Sequence, residues 1–127
     1  MDRREQKFSV TDRLKSFKYA FNGIKLFFLE GHNARIQLLA AILVVALSFY
    51  FKISTSEWIA VVFAIALVWA SEMINTAIET LSDIVSPVHH PKIKLLKDVA
   101  AGAVLITAIV ALIVALLIFV PKLFPGP

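Results

Sequence analysis

Glu72, Asn75, Glu79 and Asp83 recur at i, i+3, i+7 and i+11 in the run Glu72-Met-Ile-Asn75-Thr-Ala-Ile-Glu79-Thr-Leu-Ser-Asp83. On a helix turning ~100° per residue they fall within an arc of roughly 80°. A stripe of three acids and an amide offers hard oxygen ligands for a cation such as Mg²⁺ at Glu79, Asn75 and Asp83. Glu72, deepest in the apolar part of the run, is placed to act as a general base. Packing is the competing explanation, with these groups bonding Ser71, Thr76 or a basic neighbour across helices. For a single polar residue packing would win. An unpaired acid deep in a membrane span costs on the order of 2 to 3 kcal/mol, so a whole stripe of such groups favours function.

Lys97 and Asp98 lie just beyond a short loop, where an ammonium could meet phosphate oxygens and the carboxylate could orient it. Lys92 and Lys94 read as interfacial anchors, and His89 and His90, beside Pro87 and Pro91, read as solvated loop residues rather than metal ligands. Arg35 is either an anchor or a phosphate contact. Tyr19 is a membrane contact or a stacking surface for a nucleobase. The four glycines form neither GxxxxGK[ST] nor GxGxxG, which excludes a P-loop or Rossmann nucleotide site. With no cysteine there is no thiolate nucleophile and no Cys-based metal site.

The elements that must position these groups belong to a membrane protein. In 127 residues, 59% are hydrophobic and only 17% charged, where a soluble domain carries about a quarter charged residues. No material remains for a separate soluble domain. Residues 11–29 mix Leu14, Phe17, Tyr19 and Phe21 with Arg13, Lys15, Lys18 and Lys25, the pattern of an amphipathic helix lying on anionic headgroups and capped at Thr11 or Asp12. Residues 34–51 form a first transmembrane helix ending in the Phe49, Tyr50, Phe51 cluster, residues 57–83 a second that turns polar from Ser71, and residues 97–120 a third, stopped by Pro121. No short basic stretch leading into an apolar core marks a signal peptide, so insertion relies on the internal segments.

The net charge is +4, which in a soluble protein would suggest nucleic acid; here the basic residues flank apolar runs, and a membrane-surface role with no nucleic-acid partner follows. Lys and Arg number eight in residues 1–35 and three in 86–98, eleven of the thirteen in the chain. That side is cytoplasmic, which puts the N-terminus and the acidic end of the second helix inside and the C-terminus outside.

The segments SFKYAFNGI at 16–24, NARI at 33–36, EMINTAIETLSD at 72–83 and KDVAAGAVL at 97–105 resemble the small prokaryotic integral-membrane diacylglycerol kinases, including their undecaprenol kinase branch. The resemblance implies an all-α membrane fold with an N-terminal amphipathic surface helix and three transmembrane helices, assembled as a homotrimer in the bacterial cytoplasmic membrane. It implies transfer of the γ-phosphate of MgATP to a lipid alcohol, most simply diacylglycerol to phosphatidic acid, with undecaprenol as the alternative acceptor. Glu72 would be the catalytic base; Asn75 and Glu79 would line the metal and phosphate site. Asp83, Lys97 and Asp98 would contact nucleotide and phosphates. Family members place a metal-binding glutamate two residues before the Asn and four before the Arg, whereas Glu30 stands three before Asn33 and five before Arg35. On a continuous helix that offset rotates the carboxylate by ~100°; a break at Gly31 would let Glu30 reach the same place. The competing classes are a non-catalytic channel or accessory subunit, whose acidic stripe lines a pore or docks a helix, and a lipid phosphatase relying on His89 or His90.

Overall fold

A computed structural model describes residues 9 to 126 other than Pro87 and His89, with His32 described in its backbone alone. The described residues are helical, with no strand: α1 is Val10–Glu30, α2 His32–Tyr50, α3 Thr55–Val85 and α4 Pro91–Leu123. The chain divides into two compact units, one ending at Arg35 and the other starting at Ile36.

In the first unit Ser9, not Thr11 or Asp12, caps α1. Its backbone is extended (φ −130°, ψ 125°), and its side chain accepts from the Asp12 N–H at 3.3 Å. Serving that N–H from outside the helix lets α1 begin earlier than its apolar pattern suggests. Leu14, Phe17, Tyr19 and Phe21 are all exposed, as are the lysines between them. The helix ends at Gly31, whose N–H reaches the Phe27 carbonyl at 3.1 Å. A Cβ on Gly31 would stand 2.9 Å from that carbonyl oxygen and 3.1 Å from the Ala34 Cβ, so the close approach at this break needs glycine. Across it, Arg35 donates from Nη2 to the Leu29 carbonyl at 2.8 Å, a cation at the negative end of α1.

The second unit holds the long helices. α3 has 31 residues and α4 has 33, hence lengths of ~46 and ~50 Å, well beyond a ~30 Å hydrocarbon core. With α2 they are the three helices long and apolar enough to cross a membrane. α3 and α4 form a hairpin whose tightest packing lies at the α2–α3 turn. There Ile53, Val61, Ile118 and Phe119 are buried together, Phe51 lies 6.2 Å from Phe119 and Phe49 4.9 Å from Trp58. Phe49 and Phe51 thus pack between elements as well as carrying the aromatic character expected near headgroups. A capping box starts α3: Ser54 Oγ accepts from the Glu57 N–H at 3.2 Å, and Glu57 accepts from the Ser54 N–H at 2.9 Å. The other Glu57 oxygen accepts from Lys122 Nζ at 2.7 Å, tying the start of α3 to the end of α4.

The prolines around α4 depart from their expected roles. Pro91 is the first helical residue, where its missing N–H is not needed, and His90 caps it by accepting the Lys92 N–H on Nδ1 at 3.1 Å. α4 therefore starts at 91 rather than 97. Pro121 does not stop the helix, which continues to Leu123 and closes with Phe124 N–H on the Val120 carbonyl at 3.0 Å. One hydrogen bond is lost within the last turn, where the helix needs few more.

Candidate functional site

The polar stripe runs along the second half of α3 and changes environment as it goes. Glu72 is buried, 6% exposed, and accepts from Gln37 Nε2 of α2 at 3.4 Å. Among the described residues that amide is its hydrogen-bond partner, and no cation pairs with it. Just before it, Ser71 meets Thr107 of α4 at 2.8 Å, fixing this turn of α3 on α4. One turn on, Asn75 Nδ2 approaches Glu79 Oε1 at 3.5 Å, while Asn75 Oδ1 is sealed from solvent with no partner among the described residues. Glu79 itself is exposed.

At the end of α3, Asp83 accepts from Lys97 Nζ of α4 at 2.6 Å. Asp98, expected to orient Lys97, instead accepts from Lys94 at 2.5 Å. The reason is helical: neighbours in sequence diverge by ~100°, whereas i and i+4 share a face. Asp83, Ser86, His90, Lys94 and Lys97 line a polar cleft of about 300 Å³. Alongside, an apolar groove of about 630 Å³ runs between α3 and α4, lined by Ile74, Asn75, Ile78, Val99 and Ala103 among others. Asn75 therefore stands where apolar groove and polar stripe meet.

Electrostatically, the cleft sets two ammonium groups against two carboxylates, with side chains between 38% and 67% exposed. Such exposed pairs are weakly held, and an incoming polyanion can displace the acids from the lysines. No cluster of three or more His, Cys, Asp or Glu gathers among the described residues. Glu79 and the unpartnered Asn75 Oδ1 supply one carboxylate and one amide oxygen. That set fits a small hard divalent cation that keeps waters and takes phosphate oxygens for its remaining ligands.

In the first unit Tyr19 is 68% exposed and Glu30 is exposed, while the Arg35 guanidinium is committed to Leu29. Of the other expected residues, Asn75 is brought to Glu79 and Asp83 to Lys97, whereas Glu72 meets Gln37 and Asp98 meets Lys94. His90 serves as a helix cap, and His89 lies outside the described residues. Sequence reasoning missed Gln37. Its one signal is an amide inside the otherwise apolar run that follows Arg35.

A family model described as prokaryotic diacylglycerol kinase matches residues 18–119. The chain is 36% identical over 123 residues to undecaprenol kinase of Bacillus subtilis (strain 168), covering 97% of this chain and 100% of that protein. It is 33% identical over 111 residues to a diacylglycerol kinase of Synechocystis sp., covering 87% of this chain and 63% of the relative. A diacylglycerol kinase of Haemophilus influenzae is 28% identical over 97 residues, covering 76% of this chain and 82% of its own.

Proposed function

Because this chain belongs to the prokaryotic diacylglycerol kinase family, a family of lipid kinases, we propose that it transfers the γ-phosphate of ATP directly to the hydroxyl of a membrane lipid. The observation that carries the reading is a buried carboxylate without a cation, Glu72, on the same helix face as the Asn75–Glu79 pair and the Asp83–Lys97 pair. The alcohol oxygen attacks the γ-phosphorus in line, the bond from that phosphorus to the ADP oxygen breaks, and the alcohol proton passes to Glu72. Lys97 exchanges Asp83 for phosphate oxygens, Asp83 turns to the nucleotide, and Lys94, which borders the same cleft, exchanges Asp98 in the same way. Mg²⁺, held by Glu79 and Asn75, would neutralise charge on the transferring phosphates.

Acceptor, assembly and topology belong to the same proposal. Identity spread over the whole of an undecaprenol kinase favours a polyprenol acceptor, while the family description and the other relatives favour diacylglycerol. A homotrimer would let neighbouring copies cover the exposed Glu79 and Asp83. The concentration of Lys and Arg before residue 36 and in the first two turns of α4 supports a cytoplasmic site, an outward C-terminus and α1 on the membrane surface.

The test is purified protein in mixed micelles with labelled ATP, offered diacylglycerol and undecaprenol in parallel, for wild type and Glu72→Gln. Removing a general base should lower transfer by ~10²-fold or more with nucleotide binding kept. Near-normal turnover by the variant would remove Glu72 from the mechanism. Transfer by the wild type to neither lipid would return the chain to the non-catalytic class.

A further inference from the structure

We infer that Gln37 is a positioning residue for the Glu72 carboxylate, holding one of its oxygens so that the other faces the acceptor hydroxyl. The inference rests on the reading of Glu72 as the base.

Three observations carry it. Gln37 Nε2 donates to Glu72 Oε1 from a different helix, 35 residues away in sequence. The contact binds Oε1 alone and leaves Oε2 without a protein partner among the described residues. A carboxylate that loses its water on burial and finds no cation would rotate about its last bond; a single amide donor fixes which oxygen is free.

The surroundings of Gln37 are largely apolar. It borders an apolar cavity of about 100 Å³ whose other walls include Ala41, Val44, Ala64, Val68 and Trp69. Along α2 from Ile36 to Tyr50 the other polar side chains are Ser48, which donates to its own helix at the Val44 carbonyl, and Tyr50 at the far end. On α4 the nearby polar side chain is Thr107, engaged by Ser71. Ala41 and Ala64, both buried, also line that cavity and carry no polar group. At 3.4 Å the bond is long, as catalytic hydrogen bonds often are before substrate arrives.

If Gln37 only filled space, a side chain of similar size would replace it. Gln37→Leu keeps the volume and removes the donor; Gln37→His restores an N–H of similar reach. Turnover and the KM for MgATP are measured for both in mixed micelles, and for Gln37→Leu combined with Glu72→Gln. We expect Gln37→Leu to lower kcat by about 10-fold, in the range seen when a supporting partner of an active-site group is removed, with KM for MgATP within about 2-fold. Gln37→His should recover most of the loss. On the Glu72→Gln background, Gln37→Leu should change the residual rate by less than about 2-fold, because two residues acting through one group are not additive.

Equal fold-losses on both backgrounds, a rise in KM that accounts for the loss, or failure of Gln37→His to rescue would overturn the inference. So would an unaffected Gln37→Leu beside a Glu72→Gln that has lost ~10²-fold, an outcome that leaves the base reading intact. A Glu72→Gln enzyme with near-normal turnover instead sinks the base reading, and the positioning role with it.

Discussion

Ser71 and Thr107 allow a prediction worked bond by bond. Their hydroxyls are 2.8 Å apart across α3 and α4; Ser71 also reaches the Val68 carbonyl at 3.0 Å, and Thr107 the Val104 carbonyl at 2.9 Å. Two hydroxyl protons face three contacts, so one hydroxyl donates across the helices while the other donates to its own carbonyl. In Thr107→Val, Ser71 turns to Val68; in Ser71→Ala, Thr107 keeps Val104. Each single variant thus loses one cross-helix bond and orphans nothing. The expected loss is the membrane average of ~0.6 kcal/mol, about a 3-fold change in the folding equilibrium, rather than the ~1.7 kcal/mol maximum. The double variant should lose no more than either single, apart from small packing terms, so the coupling energy should also be ~0.6 kcal/mol. Reversible unfolding in mixed micelles with increasing dodecyl sulfate gives the four stabilities, with phosphoryl transfer measured alongside and expected to persist. Zero coupling would mean that both hydroxyls serve their own helices. A coupling well above the maximum would mean that a buried group had been left unpaired, contrary to the proton count.

The remaining predictions concern the metal, the phosphates and the break after α1. Glu79→Gln should raise the Mg²⁺ concentration needed for half-maximal transfer while leaving the melting temperature unchanged, since the amide keeps a hydrogen bond but loses the charge; superimposable Mg²⁺ titrations would remove Glu79 from the metal site. Lys97→Met should raise the KM for ATP by about 10-fold with little change in melting, because its partner Asp83 is 67% exposed and such pairs stabilise little; an unchanged KM would refute the phosphate role. Gly31→Ala must fit a Cβ 2.9 Å from the Phe27 carbonyl, an overpacking that should cost roughly 1 to 3 kcal/mol, and melting identical to wild type would show that the break does not depend on glycine.

The helices were legible in the sequence because a long apolar run in a membrane has few alternatives to a helix. Their ends were less so. Proline reads as a stop, yet Pro91 occupies a position that needs no N–H and Pro121 falls where few bonds remain to be lost. Within the site, the α3 stripe followed from spacing alone. Asp98 with Lys94 follows the same i,i+4 rule, and pairing it with its sequence neighbour Lys97 overlooked the turn between them. Contacts between helices, such as Gln37 with Glu72 and Asp83 with Lys97, depend on rotation and depth of packing, which periodicity within one helix does not encode.

The distribution of packing along the α3–α4 hairpin bears on how a site of this kind can work. Large side chains interlock at one end, where Val61 is 2% exposed and Ile118 and Phe119 are buried beneath Phe51, and the Glu57–Lys122 pair closes that end. Toward the other end the buried α4 residue is the small Ala100, and groove and cleft open beside it. Removing a large buried side chain therefore acts mainly on the closed end, whereas the open end is held by Ser71–Thr107 and by exposed ion pairs. Local opening requires least free energy where few buried contacts must be broken. On the proposed reading, the hairpin would part around Asn75, Glu79 and Lys97 to admit a nucleotide and a lipid headgroup while the interlocked end keeps the two helices in register. Glu72, near the middle of α3, is buried and held at Oε1 by Gln37, which itself borders the cavity toward the closed end.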